Sequence, residues 1–415
     1  MNLPDWIELE HLCAQILNEQ ERHGWSFDQS KASSLEMGLN RQLRDAEEFL
    51  RRSHPYVPGQ DFTPKRDNKR LGYVAGATST RISEFNPRSR DHISWILQTF
   101  YEWKPTKLTP TGKPIIDEIV LKEINLPIAE KFLEILTISK MLGMLSQGNN
   151  AWLRLVKQGR IHHHCSVATT THRCAHRSPN LAQVPADGRF RELFIATPGK
   201  VMVGADLSGI ELRMLAHYLS RYDNGRYADI LLNGDIHQTN ADAMGISRRE
   251  VKGVTYAFMY GAGNQKLGET FDDSLHSSAA KRKGSEIRRA FVDAIPGLDQ
   301  LLKDIQRAAD RGFIKSIDGR HIALESSHVA LNYLLQSGAG VIAKRWMLIN
   351  YEATKDIANQ LAFIHDELQF ETTKNNAQTL MTSLESSAAA AGEYYNMRCP
   401  IAAEAKTGDN WQQVH

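Results

Sequence analysis

Apolar residues recur at helical spacing from the start of the chain. Leu9, Leu12, Ile16 and Leu17 are followed, after a break at His23-Gly24, by Leu35, Leu39 and Leu43, so residues 1–50 read as core-facing amphipathic helix. From Arg51 to Pro87 the pattern decays into Pro, Gly and charge, which predicts a long exposed loop or loosely folded insertion. Helical periodicity returns over 127–156 with Ile128, Phe132, Ile135, Leu136, Leu142 and Leu145. Between Ile161 and Val203 short β-type runs are broken by Pro and Gly, ending in the apolar strand candidate VMVGA at 201–205. A helical stretch runs from Leu207 to about Ala309, interrupted at GDIH (234–237) and at the basic KRKG (281–284). The remainder mixes strands (FIKSI, LAFIH, LQFET) with helices over 329–354 and 376–393.

Composition narrows the class. With 415 residues, 41% hydrophobic and 24% charged, the chain is globular and exceeds the roughly 250–300 residues at which one core stops growing, so two or three subdomains are expected. No run approaches the ~20 apolar residues of a membrane span, and the start lacks a signal peptide's basic and apolar regions. Four cysteines (Cys13, Cys165, Cys174, Cys399) without a CxxC pair fit a reduced, cytoplasmic compartment rather than a disulfide framework. The net charge of +2 does not exclude a polyanionic partner, because distribution matters more than the sum. Positions 41–107 carry 13 Lys/Arg against 8 Asp/Glu and are locally basic.

Two aspartates share a context: Asp206 follows VMVGA, and Asp366 follows LAFIH and precedes Glu367 and LQFET. A carboxylate directly after an apolar strand sits at a sheet's rim, where it escapes unpaired burial. Two there can bracket divalent ions such as Mg²⁺, which binds through one or two carboxylates plus substrate phosphates. The alternative for either one is a capping or salt-bridged aspartate. Within SRREVKGVTYAFMYGAG, Arg248, Lys252, Tyr256 and Tyr260 recur at intervals of four and share one helix face. Such a face can hold a triphosphate on its cations and stack a base or sugar on its rings; equally, it can be a half-buried stripe with snorkelling cations. Gly261 and Gly263 suggest a turn or close approach just beyond it.

At this point the residues carry a resemblance. ADLSGIELR (205–213), RREVKGVTYAFMYG (248–261) and IHDELQF (364–370) resemble, in order and spacing, the three polymerase motifs of family A, the DNA polymerase I-like enzymes. FNPRSRDHI (85–93), RSPNLAQVP (177–185), RYDNGRYADILLNGDIH (221–237) and HVALNYLLQSGAG (328–340) are similar to that family's bacteriophage replicative branch. The resemblance implies an α/β (α+β) right-hand fold. Residues 1–155 would form N-terminal helices and a helical thumb with a basic insertion at about 51–87. The antiparallel palm would comprise 156–220 and 313–415, with helical fingers at 221–312.

It also implies roles. Asp206 and Asp366 would hold two catalytic Mg²⁺ ions, helped by the Leu207 carbonyl, with Glu367 auxiliary. Arg248, Lys252 and His237 would contact the dNTP phosphates, and Lys252 would donate a proton to departing pyrophosphate. Tyr256 would stack on the nucleotide and Tyr260 abut the templating base, while Glu211 would exclude a 2′-hydroxyl. Arg173, Asn332, Gln336 and His365 would follow the primer terminus and minor groove. Substrates would be primer-template DNA and dNTPs; candidate partners are a separate exonuclease, a helicase or a processivity factor, in host cytoplasm if phage-encoded. Thumb-like sequence begins within the first ten or so residues, so no 3′–5′ exonuclease domain, and hence no intrinsic proofreading, is expected.

Several features depart from the family or stand apart. Thr171-His172-Arg173 replaces the usual Thr-Gly-Arg, giving a less permissive backbone, and Ala257 replaces a glycine. Tyr256 is Tyr rather than Phe, as in the phage branch, which implies weak discrimination against dideoxynucleotides. The run HHHC (162–165) with His172, Cys174 and His176 has ligand types that suit zinc, but its spacing follows no established structural-zinc pattern, and a β segment near the primer is expected. KRKGSEIRR (281–289) reads as a solvated face that could touch template. A single-subunit RNA polymerase or a non-catalytic DNA-binding relative are the alternatives. Glu211 and His365-Asp366-Glu367 argue against the first, and Asp206, Asp366, Arg248 and Lys252 together against the second.

Overall fold

The computed structural model describes residues 4–185, 187–272 and 275–415. The chain divides into two compact units, one of residues 30–154 and one of 1–29 with 155–415.

The larger unit is built on a four-stranded antiparallel sheet in the order Ala358–Ile364, Glu367–Thr372, Val201–Leu207, Ala403–Gly408. Val201–Leu207 is a central strand, buried except at Asp206, which is why it reads as an unbroken apolar run. Helix Ala330–Thr354 is buried on nearly every face, as befits a helix packed from several sides. Its Lys344 is fully buried and pairs with Glu10 at 2.6 Å, and Arg345 pairs with Asp5 at 2.7 Å. These pairs fasten it to helix Asp5–His23, whose own buried stripe is Leu9, Cys13, Ile16, Leu17 and Gln20. Removing one partner would leave a buried charge uncompensated, which is the costly case.

The helical stretch after Leu207 is organised differently from the expectation at one point. KRKG does not interrupt it: helix Ser277–Ala294 runs through Gly284. Gly284 is instead a packing residue, since a Cβ there would lie 1.7 Å from the Asn264 carbonyl, and one on Gly268 would lie 1.9 Å from that of Ala280. Helices Asn264–Phe271 and Ser277–Ala294 therefore cross with backbones in contact, which only glycine permits.

The smaller unit corrects another expectation. Residues 51–87 are not simply an exposed loop, because Tyr56–Phe62 pairs antiparallel with Ser79–Glu84, with a register shift between Pro58 and Asp61. Both strands are largely exposed, so no apolar alternation marks them. Around this ladder, Arg88 and Arg51 both reach the buried Glu47, at 2.6 and 3.2 Å. In the larger unit a three-residue strand, Trp25–Phe27, also escaped the sequence pattern, being too short for a period to appear.

Candidate active site

The sheet brings the two aspartates together. Asp206 stands opposite Glu367 in the ladder, and Asp366 precedes Glu367 in the turn between the two hairpin strands. The Leu207 N–H donates to the Asp366 carbonyl at 3.0 Å, pinning that turn against the end of the central strand. His365 enters the turn with φ +59°, a left-handed conformation uncommon in non-glycine residues.

Glu211 on helix Ile210–Asp223 is the fourth carboxylate. Crowding is legible in the titration behaviour. Asp366 is pushed up to about 7, first by burial, then by Asp206 and Glu211. Asp206 is pushed up to about 6 by desolvation in its recess, then by Glu367. Mutually repelling hard oxygen donors with raised pKa values are the donor set that a divalent, oxygen-seeking cation fits.

Each neighbour has a definite partner. Glu367 is buried, and its Oε1 accepts from Gln369 Nε2 at 2.6 Å and Trp411 Nε1 at 2.5 Å. Its Oε2 lies 3.1 Å from the His415 ring. Sequence reasoning missed these three supports; Gln369, two residues on from Glu367, lies on the same face of the strand and could have been suspected. Arg173 Nη2 reaches Glu211 Oε1 at 2.8 Å, and the Tyr260 hydroxyl donates to the same oxygen at 3.1 Å. Arg173 is aimed by its backbone: His172 has φ +59°, and a Cβ on Gly340 would sit 3.0 Å from the His172 carbonyl and 3.2 Å from the Arg173 nitrogen. The long helix thus touches the 172–173 turn through its glycine.

Helix Arg248–Met259 carries the predicted stripe and begins with a complete capping box between Ser247 and Glu250. Val251, Val254, Thr255, Phe258 and Met259 are buried on its inner side, leaving Arg248, Lys252 and Tyr260 exposed and Tyr256 half-buried. Tyr256 lies within the influence of Glu211 and Asp366, which with burial raise its phenol pKa. His237 is buried 6.2 Å from the Tyr256 ring, and burial with Arg248 depresses its pKa. Arg248 does not point at the carboxylates: its Nε is held by Asp235 at 2.7 Å, and Asp235 also caps helix Ile236–Met244. Just beyond the stripe, Gly261 (φ +75°) approaches Asn332. Gln336 lies one helical turn further along the same face as Asn332. Nor is KRKGSEIRR wholly a solvated face, since Arg288 is held by Asn264 and the Ala262 carbonyl.

The comparisons identify the family. The family model "DNA polymerase family A" matches residues 67–413: the chain belongs to DNA polymerase family A. The DNA-directed DNA polymerase of Enterobacteria phage T3 is 33% identical, over 99% of this chain and 70% of the phage protein. That of Escherichia phage T7 is 32% identical over the same shares. Among solved structures, the POL domain of Pol1 from M. smegmatis, in complex with DNA primer-template and dNTP, superposes with a TM-score of 0.78 at 22% identity, covering 98% of this chain and 70% of that one. The expected α+β right-hand fold is the fold found.

Proposed function

We infer that this chain is a DNA-directed DNA polymerase that extends a primer 3′-hydroxyl with dNTPs, using two Mg²⁺ ions held by Asp206 and Asp366 with the Leu207 carbonyl. The observation that carries the reading is the meeting of these two raised-pKa aspartates at one sheet rim, beside a helix whose cations and tyrosines face outward. Family membership makes an RNA polymerase or a mere DNA binder the weaker reading.

Asp206 and Asp366 would hold the ions, whose chemistry when bound would be to lower the primer hydroxyl's pKa and offset the triphosphate's charge. The chain's own residues do the rest. Arg248, Lys252 and His237 grip the phosphates, and Lys252 protonates the departing pyrophosphate. Tyr256 stacks on the nucleotide, and Tyr260 abuts the templating base and primer end. Glu211, held between Arg173 and Tyr260, fills the space beside the sugar's 2′ carbon. Arg173, Asn332, Gln336 and His365 follow the minor groove, where an acceptor lies at nearly the same place in every correct pair. Closure of the 248–259 helix over a correct pair assembles the site by induced fit. In this reading 156–220 and 313–415 are palm, 221–312 fingers and 1–155 N-terminal helices and thumb. The setting is phage replication in host cytoplasm, with a helicase, exonuclease or processivity factor as further partners. Among the described residues, no helix is long and apolar enough to cross a membrane.

Primer extension with Mg²⁺ tests the reading when dNTPs and rNTPs are compared. Templated incorporation of dNTPs in strong preference is expected; equal use of rNTPs would overturn it.

A further inference from the structure

The histidine and cysteine run set aside on its sequence spacing becomes a different object once folded. Strand His164–Ser166 pairs with Ala175–Arg177, and the register places Cys165 directly opposite His176. His163 lies two residues before Cys165, so it shares the same face. One donor atom from each of His163, Cys165 and His176 lies within 4.8 Å of the others. The spacing that matched no zinc pattern along the chain is bridged by the hairpin.

A fourth side chain completes the set. Gln20 comes in from helix Asp5–His23, its amide 3.1 Å from His163 Nε2 and 3.6 Å from Cys165 Sγ. Cys165 Sγ lies 3.2 Å from His176 Nδ1. In a tetrahedral zinc site, bond lengths of about 2.0–2.1 Å to nitrogen or oxygen and about 2.3 Å to sulfur put donors about 3.3–3.6 Å apart. The 3.6 Å edge already has that length and the 3.1 and 3.2 Å edges need only open slightly, while the donors of His163, Cys165 and His176, within 4.8 Å of one another, must draw closer to complete it.

We propose that His163, Cys165 and His176, with the Gln20 amide oxygen as fourth donor, form a binding site for a borderline-soft transition-metal ion of the zinc class, separate from the carboxylate site. The ring nitrogens that face the group are His163 Nε2, toward Gln20, and His176 Nδ1, toward Cys165. Gln360 Nε2 now donates to Gln20 Oε1 at 2.8 Å. Turning both amides over, an exchange of near-identical shapes, presents the Gln20 oxygen to the ion and lets the Gln20 amide N–H₂ donate to the Gln360 oxygen. Burial keeps both imidazoles neutral, with His163 depressed to about 3 and His176 to about 4, so their lone pairs are free for a metal.

Binding forms a metal–sulfur bond as the Cys165 S–H bond breaks, and the proton leaves to solvent. Uptake therefore weakens as pH falls. The ion and thiolate together leave one positive charge, and Glu21, paired with His164 at 2.7 Å, stands beside them. The nitrogen and sulfur donors select against Mg²⁺. Because the His176 ring packs edge-on against His365 at 5.7 Å, an ion here would join the N-terminal helix, the hairpin and the Asp366 turn into one rigid body.

Cobalt(II) titration of the full chain in excess Mg²⁺, read by absorption spectroscopy, tests this. One equivalent should give a thiolate-to-cobalt charge-transfer band with intense tetrahedral d–d bands, lost in Cys165→Ser and displaced by zinc. Zinc should also raise the melting temperature of the wild type and leave that of His163→Gln unchanged. Absence of the charge-transfer band in the wild type overturns the proposal whether or not the variants fold. Persistence of the band in Cys165→Ser overturns it too, by assigning the metal to another thiol.

Discussion

The Tyr260 hydroxyl and the Arg173 guanidinium converge on one oxygen of Glu211, at 3.1 and 2.8 Å. Tyr260 ends the outward-facing helix and Glu211 opens the helix that follows Asp206, so the contact joins those two helices at the proposed nucleotide site. If Glu211 screens the 2′ position, its screening depends on being held. Tyr260→Phe removes one hydrogen bond, worth about 0.5–1.5 kcal/mol. It should therefore raise the rNTP:dNTP incorporation ratio about threefold to tenfold, with Glu211→Ala raising it further. Steady-state incorporation of matched ribo- and deoxynucleotides checks this; an unchanged ratio in both variants would separate Glu211 from sugar selection.

On the proposed reading Tyr256 would govern a different selectivity. Its phenol lies near Glu211 and Asp366, where a hydroxyl can support the triphosphate in place of a missing 3′-hydroxyl. A hydrogen bond to a charged group contributes about 1.5–3 kcal/mol, so Tyr256→Phe should increase rejection of dideoxynucleotides about tenfold to a hundredfold. Competition primer extension measures it, and strong rejection by the wild type would contradict the assignment.

Arg248 is engaged by Asp235 before any triphosphate arrives. The pair is exposed and therefore weak, but it competes for the guanidinium. Asp235→Asn keeps the helix cap while deleting the competing charge, so KM for dNTP should fall by less than about fivefold with kcat unchanged. Arg248→Ala should raise KM instead. A rise in KM for Asp235→Asn would mean that the aspartate orients the arginine productively.

The carboxylate cluster makes the metal-free chain sensitive to pH. Asp366 and Asp206 titrate near about 7 and about 6 when folded, against about 4 for an unfolded aspartate. Raised folded values mean that the protonated forms favour folding, a contribution full below about pH 4 and lost as pH rises through 6 and 7. Metal-free Asp366→Asn should therefore melt above the wild type at pH 8, with the gap closing toward pH 4. Mg²⁺ should narrow the pH 8 gap by binding the ionised wild type. Melting curves in chelator and in Mg²⁺ decide it; a gap independent of pH would place Asp366 outside the cluster.

Legibility from sequence followed the length and periodicity of each element. The strand that carries Asp206 and the stripe Arg248-Lys252-Tyr256-Tyr260 could be read because burial and helical spacing leave a pattern. The Tyr56–Phe62 ladder could not, because exposed strands need no apolar alternation. Gly284 looked like a break because the sequence does not reveal that another backbone passes within contact distance. Partners arriving from distant segments were equally hidden: Trp411 and His415 on Glu367, Asp235 on Arg248, and Cys165 facing His176 depend on register and topology rather than local composition.

The central claim is that Asp206 and Asp366 hold the metal ions of a templated polymerase. It is tested most directly by single-nucleotide primer extension with Mg²⁺ and dNTPs, comparing the wild type with Asp206→Ala and Asp366→Ala after confirming that each variant binds primer-template. The wild type should add the templated nucleotide, and each variant should lose at least about a thousandfold in rate, since metal stabilisation of the transition state contributes several kcal/mol. No extension by the wild type, or undiminished extension by either variant, would contradict the account.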